Sequence, residues 1–148
     1  MPKPPAPSRA EKPQTPADAP PTTRPRLLLL EDDGSMAVPL MEHLQENDFD
    51  VTLATSGVDG LKEVMARDYD VILCDMLMPH LPGDMFYLAV ERTKPKLCKR
   101  FIFMTGHQAD PRWDNFVRKI GGVMLYKPFQ FHEMMERIQV VLRKAAQK

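Results

Sequence analysis

Five short apolar runs recur along the chain, each followed by a longer stretch in which apolar residues return every three or four positions. The runs lie near residues 26–31, 50–54, 70–75, 100–104 and 123–126, and the periodic stretches near 35–47, 57–67, 84–93, 109–120 and 129–146. A run without polar alternation marks a strand covered on both faces. Its alternation with amphipathic stretches marks parallel strands joined by crossover helices. The pattern therefore predicts an α/β domain, a doubly wound five-stranded parallel sheet with five helices. Ser35 is the expected N-cap of the first helix, and Pro39 lies early enough to be tolerated. In the second helix Val58, Leu61, Val64 and Met65 form the stripe expected to pack on the sheet. Met134, Ile138, Val141 and Ala145, widened by Met135 and Leu142, do the same in the last, with the methionines as core filler.

The residues that end these runs carry the chemistry. Leu27–Leu30 ends in Glu31, Asp32 and Asp33, Val71–Cys74 in Asp75, Phe101–Met104 in Thr105, and Val123–Tyr126 in Lys127. A doubly wound sheet binds its ligand outside the carboxyl ends of its strands, so these side chains are expected on one rim. Carboxylates gathered that closely need a cation to coexist, which points to a metal and phosphoryl site.

Composition limits the rest. Of 15 prolines in 148 residues, 9 fall in residues 1–25, where Met1 is the one Leu/Ile/Val/Phe/Met side chain. Such a segment cannot offset its ordering entropy by burial, and residues 1–25 are expected to be a disordered or polyproline-like tail or linker before a domain over 26–148. Residues 1–26 carry five basic and two acidic side chains, leaving 15 basic against 18 acidic in the remainder. A slightly acidic domain without a dense Lys/Arg stripe offers no footprint for nucleic acid. Cys74 reads as a buried strand residue and Cys98 as a loop thiol, without metal-type spacing, as suits a reducing cytosol. No run is long enough to cross a membrane and no signal peptide opens the chain, so a cytoplasmic location is expected.

Taken together, Glu31-Asp32, Asp75, Thr105 and Lys127-Pro128-Phe129 resemble the receiver domain of bacterial two-component response regulators of the chemotaxis-regulator type. The resemblance covers residues 26–146, including the spacing from Thr105 to Lys127. It implies the flavodoxin-like strand order 2-1-3-4-5 and a phosphoacceptor role for Asp75, which would take a phosphoryl group from a histidine kinase or histidine phosphotransfer protein. It implies Mg²⁺ held by Asp32, Asp75 and the backbone carbonyl of about Leu77, with Glu31 acting through its waters. Lys127 would pair with a phosphoryl oxygen, Thr105 would report its arrival, and Lys127-Pro128 would be cis. Asp33 reads as a helix cap, and Gly83 closes the loop after Asp75 with an expected positive φ.

The chain departs from the family at Met124, where an aromatic switch usually stands, with Tyr126 beside Lys127 instead. Leu77 offers no hydrogen bond to an attacking water, which implies at most slow self-dephosphorylation and a switch in place of an enzyme. His107 reads as a loop histidine. Protein contacts are the expected output, with the downstream partner open. The competing readings are a receiver fragment of a hybrid histidine kinase and an aspartyl-phosphate phosphohydrolase. The latter usually needs a second Asp where Leu77 stands. A nucleotide or flavin binder is disfavoured because Glu31, Asp32 and Asp33 would repel phosphates.

Overall fold

A computed structural model describes residues 24–106 and 110–146. All but the last two residues of the expected tail, and His107, lie outside the described residues. The elements alternate as the pattern predicts: β1 (Arg26–Leu30), α1 (Gly34–Glu46), β2 (Asp50–Ala54), α2 (Gly57–Ala66), β3 (Val71–Asp75), α3 (Gly83–Thr93), β4 (Phe101–Gly106), α4 (Pro111–Lys119), β5 (Val123–Lys127) and α5 (Phe131–Ala146). All strand pairings are parallel and the order is β2-β1-β3-β4-β5. Residues 95–100, read as loop, instead form a 3-10 helix that holds Cys98. Pro95 starts it with a fixed φ, and buried Leu97 anchors it.

The pleat sorts the strands' side chains into two cores. Leu28, Leu30, Ile72, Cys74, Phe101 and Phe103 face one way, with Val64, Phe86, Val90 and Val117 of α2, α3 and α4. Leu27, Leu29, Val71, Leu73, Ile102 and Met104 face the other, with Ala37 and Leu44 of α1 and Met134, Ile138 and Val141 of α5. Of the α5 stripe Met134, Ile138 and Val141 are buried as expected, and Met135, Leu142 and Ala145 are half-buried. The α2 stripe is only partly buried: Val64 is enclosed and Leu61 packs against the core, but Val58 and Met65 are 46% and 55% exposed. Gly57 and Gly60 share the inner face with Val64. A Cβ on Gly60 would stand 2.6 Å from Leu30 Cδ2, so the helix lies too close to the sheet for a larger residue.

Of the two caps expected at the start of α1, the structure keeps the one at Asp33. Asp33, not Ser35, is the N-cap of α1: its carboxylate accepts from the Ser35 N–H at 3.0 Å and from the Ser35 hydroxyl at 2.7 Å. The longer reach of the carboxylate lets one residue satisfy both donors. Before α5 the Gln130 N–H donates to the Glu133 side chain at 2.7 Å, closing the first turn.

Candidate functional site

Three strand ends and one loop build the site. Glu31 follows β1, Asp75 ends β3 and Lys127 ends β5. Period-two alternation sends all three side chains to the sheet face shared by Leu29, Leu73 and Leu125. Lys127 Nζ donates to Glu31 Oε1 and to Asp75 Oδ2, each at 3.0 Å, across sequence separations of 96 and 52 residues. One ammonium thus clamps two carboxylates that are almost fully enclosed: Glu31 is 1% and Asp75 5% exposed.

Burial raises the pKa of Glu31 above the ordinary carboxylate value, and the negative charge of Asp75 adds to this, while the hydrogen bond from Lys127 opposes it. Burial by itself would lower the pKa of Lys127, yet the hydrogen bond to Glu31 and the field of Asp75 outweigh that and raise it. The lysine is therefore a permanent cation at neutral pH. Asp33 N–H donates to the second Glu31 oxygen at 3.2 Å, and Leu77 N–H donates to Asp75 Oδ1 at 3.1 Å.

Asp32 is exposed, yet one carboxylate oxygen from each of Glu31, Asp32 and Asp75 lies within 4.8 Å of the others. That donor set, all hard oxygen with a single cation nearby, suits a magnesium-sized ion. Leu77 is 65% exposed and Met76 and Met78 are buried, so the loop after Asp75 is pinned on both sides of a solvent-facing residue. Gly83 N–H donates to Met76 O at 2.9 Å. A Cβ on Gly83 would sit 2.9 Å from Met76 Cα and 3.0 Å from Asp75 O, so the glycine is required by close approach. The expected positive φ at Gly83 does not occur; in this loop it is His80 that adopts it, at 69°.

Thr105 stands apart from the clamp. It is 2% exposed at the end of β4, on the opposite sheet face, with Tyr126 as its register neighbour on β5. The hydroxyl of Tyr126 donates to Asp114 in the first turn of α4 at 2.8 Å. Sequence reading left Tyr126 without a role, because its link to Asp114 depends on how α4 sits over the strand. Met124, two residues earlier, packs into the core beneath α2, α3 and α4. The Lys127-Pro128 bond is cis, as the resemblance implied.

The family model of the response regulator receiver domain matches residues 27–139, and the chain belongs to that family. The chain is 29% identical over 126 residues to the transcriptional regulatory protein PcoR of Escherichia coli, covering 81% of this chain and 52% of that one. It is 27% identical over 120 residues to the sensor kinase CckA of Brucella abortus (strain 2308), covering 80% of this chain and 12% of that one. The chain therefore spans about half the length of the first of these relatives and far less of the second. A solved CheY-like receiver domain protein of Methanospirillum hungatei JF-1 superposes with a TM-score of 0.76 at 20% identity, over 84% of this chain and 98% of that one, a likeness of fold. The domain is a receiver of two-component signalling. Among the described residues no helix is long and apolar enough to cross a membrane.

Proposed function

We propose that the domain is a phosphoacceptor switch in which Asp75 takes a phosphoryl group from the phosphohistidine of a kinase or phosphotransfer protein. An Asp75 oxygen attacks phosphorus, the P–O bond forms as the P–N bond breaks, and the imidazole leaves to take up a proton. The observation that carries this reading is the clamp: a carboxylate at a strand end, next to two further carboxylates and held by one lysine. Asp32, Asp75 and the Leu77 carbonyl would hold Mg²⁺, with Glu31 acting through its waters; the ion would neutralise charge on the transferring oxygens. Lys127 is already 3.0 Å from Asp75 Oδ2 and needs little movement to pair with a phosphoryl oxygen. Thr105 would move toward the phosphoryl group and, through its strand neighbour Tyr126, alter the contact with Asp114 on α4. No acidic residue occupies the position of Leu77, which disfavours a phosphohydrolase and leaves slow self-dephosphorylation.

Incubation with acetyl phosphate and Mg²⁺ followed by intact mass measurement tests the assignment. The parent should gain one phosphoryl mass and Asp75→Asn none; full labelling of the Asn variant would remove Asp75 from the role. The match to a segment of a sensor kinase favours a second reading, in which the chain is the receiver part of a hybrid kinase. An immunoblot of the native protein decides between them, since that reading requires a mass several times that of this chain.

A further inference from the structure

Charge is balanced over the whole chain, with 20 basic and 20 acidic residues, but it is sorted in space. Residues 42–50 hold Glu42, Glu46, Asp48 and Asp50 and no Lys or Arg; residues 92–100 hold Arg92, Lys94, Lys96, Lys99 and Arg100 and no acid. The absence of a dense basic stripe, expected from overall charge, therefore fails locally. The first window ends α1 and enters β2; the second ends α3, forms the 3-10 helix and leads into β4. Both windows lie at the amino end of the parallel sheet, opposite Asp75, the first on the face of α1 and the second running from the face of α3 to the end of α5.

The fold neutralises only part of this charge. Lys94 pairs with Asp68 at 3.2 Å and Arg100 with Asp70 at 3.9 Å. Among the described residues no ion pair reaches Glu42, Glu46, Asp48, Asp50, Arg92, Lys96 or Lys99, and all seven are exposed. The three-residue turn of a 3-10 helix puts Lys96 and Lys99 on one side. α5 packs against this helix and ends in exposed Arg143 and Lys144. Cations at the ends of α3 and α5 suit the helix dipole. Glu42 and Glu46 do not: they oppose the dipole near the end of α1 and repel each other at i, i+4. Stability within one copy gives no reason for that pair.

We propose that the basic patch of one copy docks on the acidic patch of another, so that the chain associates head to tail through its amino-end surfaces. The two patches are different surfaces, so the contact is heterologous and repeats along a chain or ring of copies. It leaves the Asp75 end open and does not depend on phosphorylation. Pairs of exposed charges are individually weak and screened by salt, and the association must share both properties.

Analytical ultracentrifugation of the full chain at about 100 µM tests this. In 10 mM NaCl, where screening extends over about 30 Å, the average mass should exceed 16.9 kDa; in 1 M NaCl, where it is about 3 Å, the monomer should return. Lys96→Glu/Lys99→Glu and Glu42→Lys/Glu46→Lys should each stay monomeric in 10 mM NaCl. Their equimolar mixture keeps one good patch of each sign and should stop at a dimer, while Asp75→Asn should associate like the parent. A mass that ignores salt, or a mixture that does not pair, overturns the proposal. So would a monomeric parent that binds heparin through Lys96 and Lys99, which would give the basic patch to another polyanion.

Discussion

The two ends of the sheet handle charge in opposite ways. At the carboxyl end Glu31 and Asp75 are enclosed and share Lys127, with Asp32 close by. At the amino end the ion pairs Lys94–Asp68 and Arg67–Glu63 lie in solvent, and Asp68 is 90% exposed. Enclosed like charges are costly unless a cation answers them; exposed pairs contribute little. The carboxyl end therefore depends on a cation to hold its carboxylates together, whereas the charge at the amino end is not fixed by the stability of a single copy.

Removing the shared cation tests this contrast most severely. Lys127→Ala leaves two enclosed carboxylates without their cation and should lower stability by about 3 kcal/mol in urea denaturation without divalent metal. Added Mg²⁺ should restore part of the loss in the variant and do less for the parent. An unchanged midpoint would mean that water reaches Glu31 and Asp75 freely, and the two ends would then be alike. Gly83→Ala should cost about 1–3 kcal/mol by pushing the loop off Met76 and Asp75. It should also slow labelling by acetyl phosphate, because the Leu77 segment hangs from that contact.

Alkaline titration examines polar groups away from the site. Burial pushes the Tyr87 hydroxyl up to about 12. Burial, and then the hydrogen bond to Glu63, raise Tyr69 further. In the unfolded chain tyrosine ionises near 10. The folded state thus favours the protonated form, and its contribution to stability, complete below pH of about 10, is lost as pH rises through about 12. Absorbance at 295 nm should show Tyr69 and Tyr87, two of the three tyrosines, ionising only together with loss of far-UV circular dichroism, since Tyr126 is exposed. The smallest effect belongs to the amino end. Lys94→Ala should change stability by no more than about 0.5 kcal/mol, and a loss of several times that would show the exposed pair to be a structural tie.

The contrast between α5 and α2 shows where sequence reading stops. In both helices an apolar stripe at three-and-four spacing was expected on the sheet, and in α5 Met134, Ile138 and Val141 are there. In α2 Val64 is there too, but Val58 and Met65 turn outward and Gly57 and Gly60 share the inner face, because the chain passes close to Leu81 at Gly57 and to Leu30 at Gly60; those distances are a property of the assembled layers. The same limit applies at Gly83, where the requirement is room beside Met76 and not a backbone angle.

Local chemistry in the chain was enough to determine the five parallel strands and five α-helices, though not the 3-10 helix over residues 95–100, because periodicity and apolar runs are set by neighbours in sequence. It also placed the acids, the threonine and the lysine at strand ends. Only tertiary structure decided that Glu31, and not its neighbour Asp32, is the carboxylate enclosed with Asp75, and that Lys127 bridges the pair. Those facts depend on strand register and on helices closing over one face, which bring together residues 96 and 52 positions apart. No local signal encodes a contact across such distances; it arises when the layers pack.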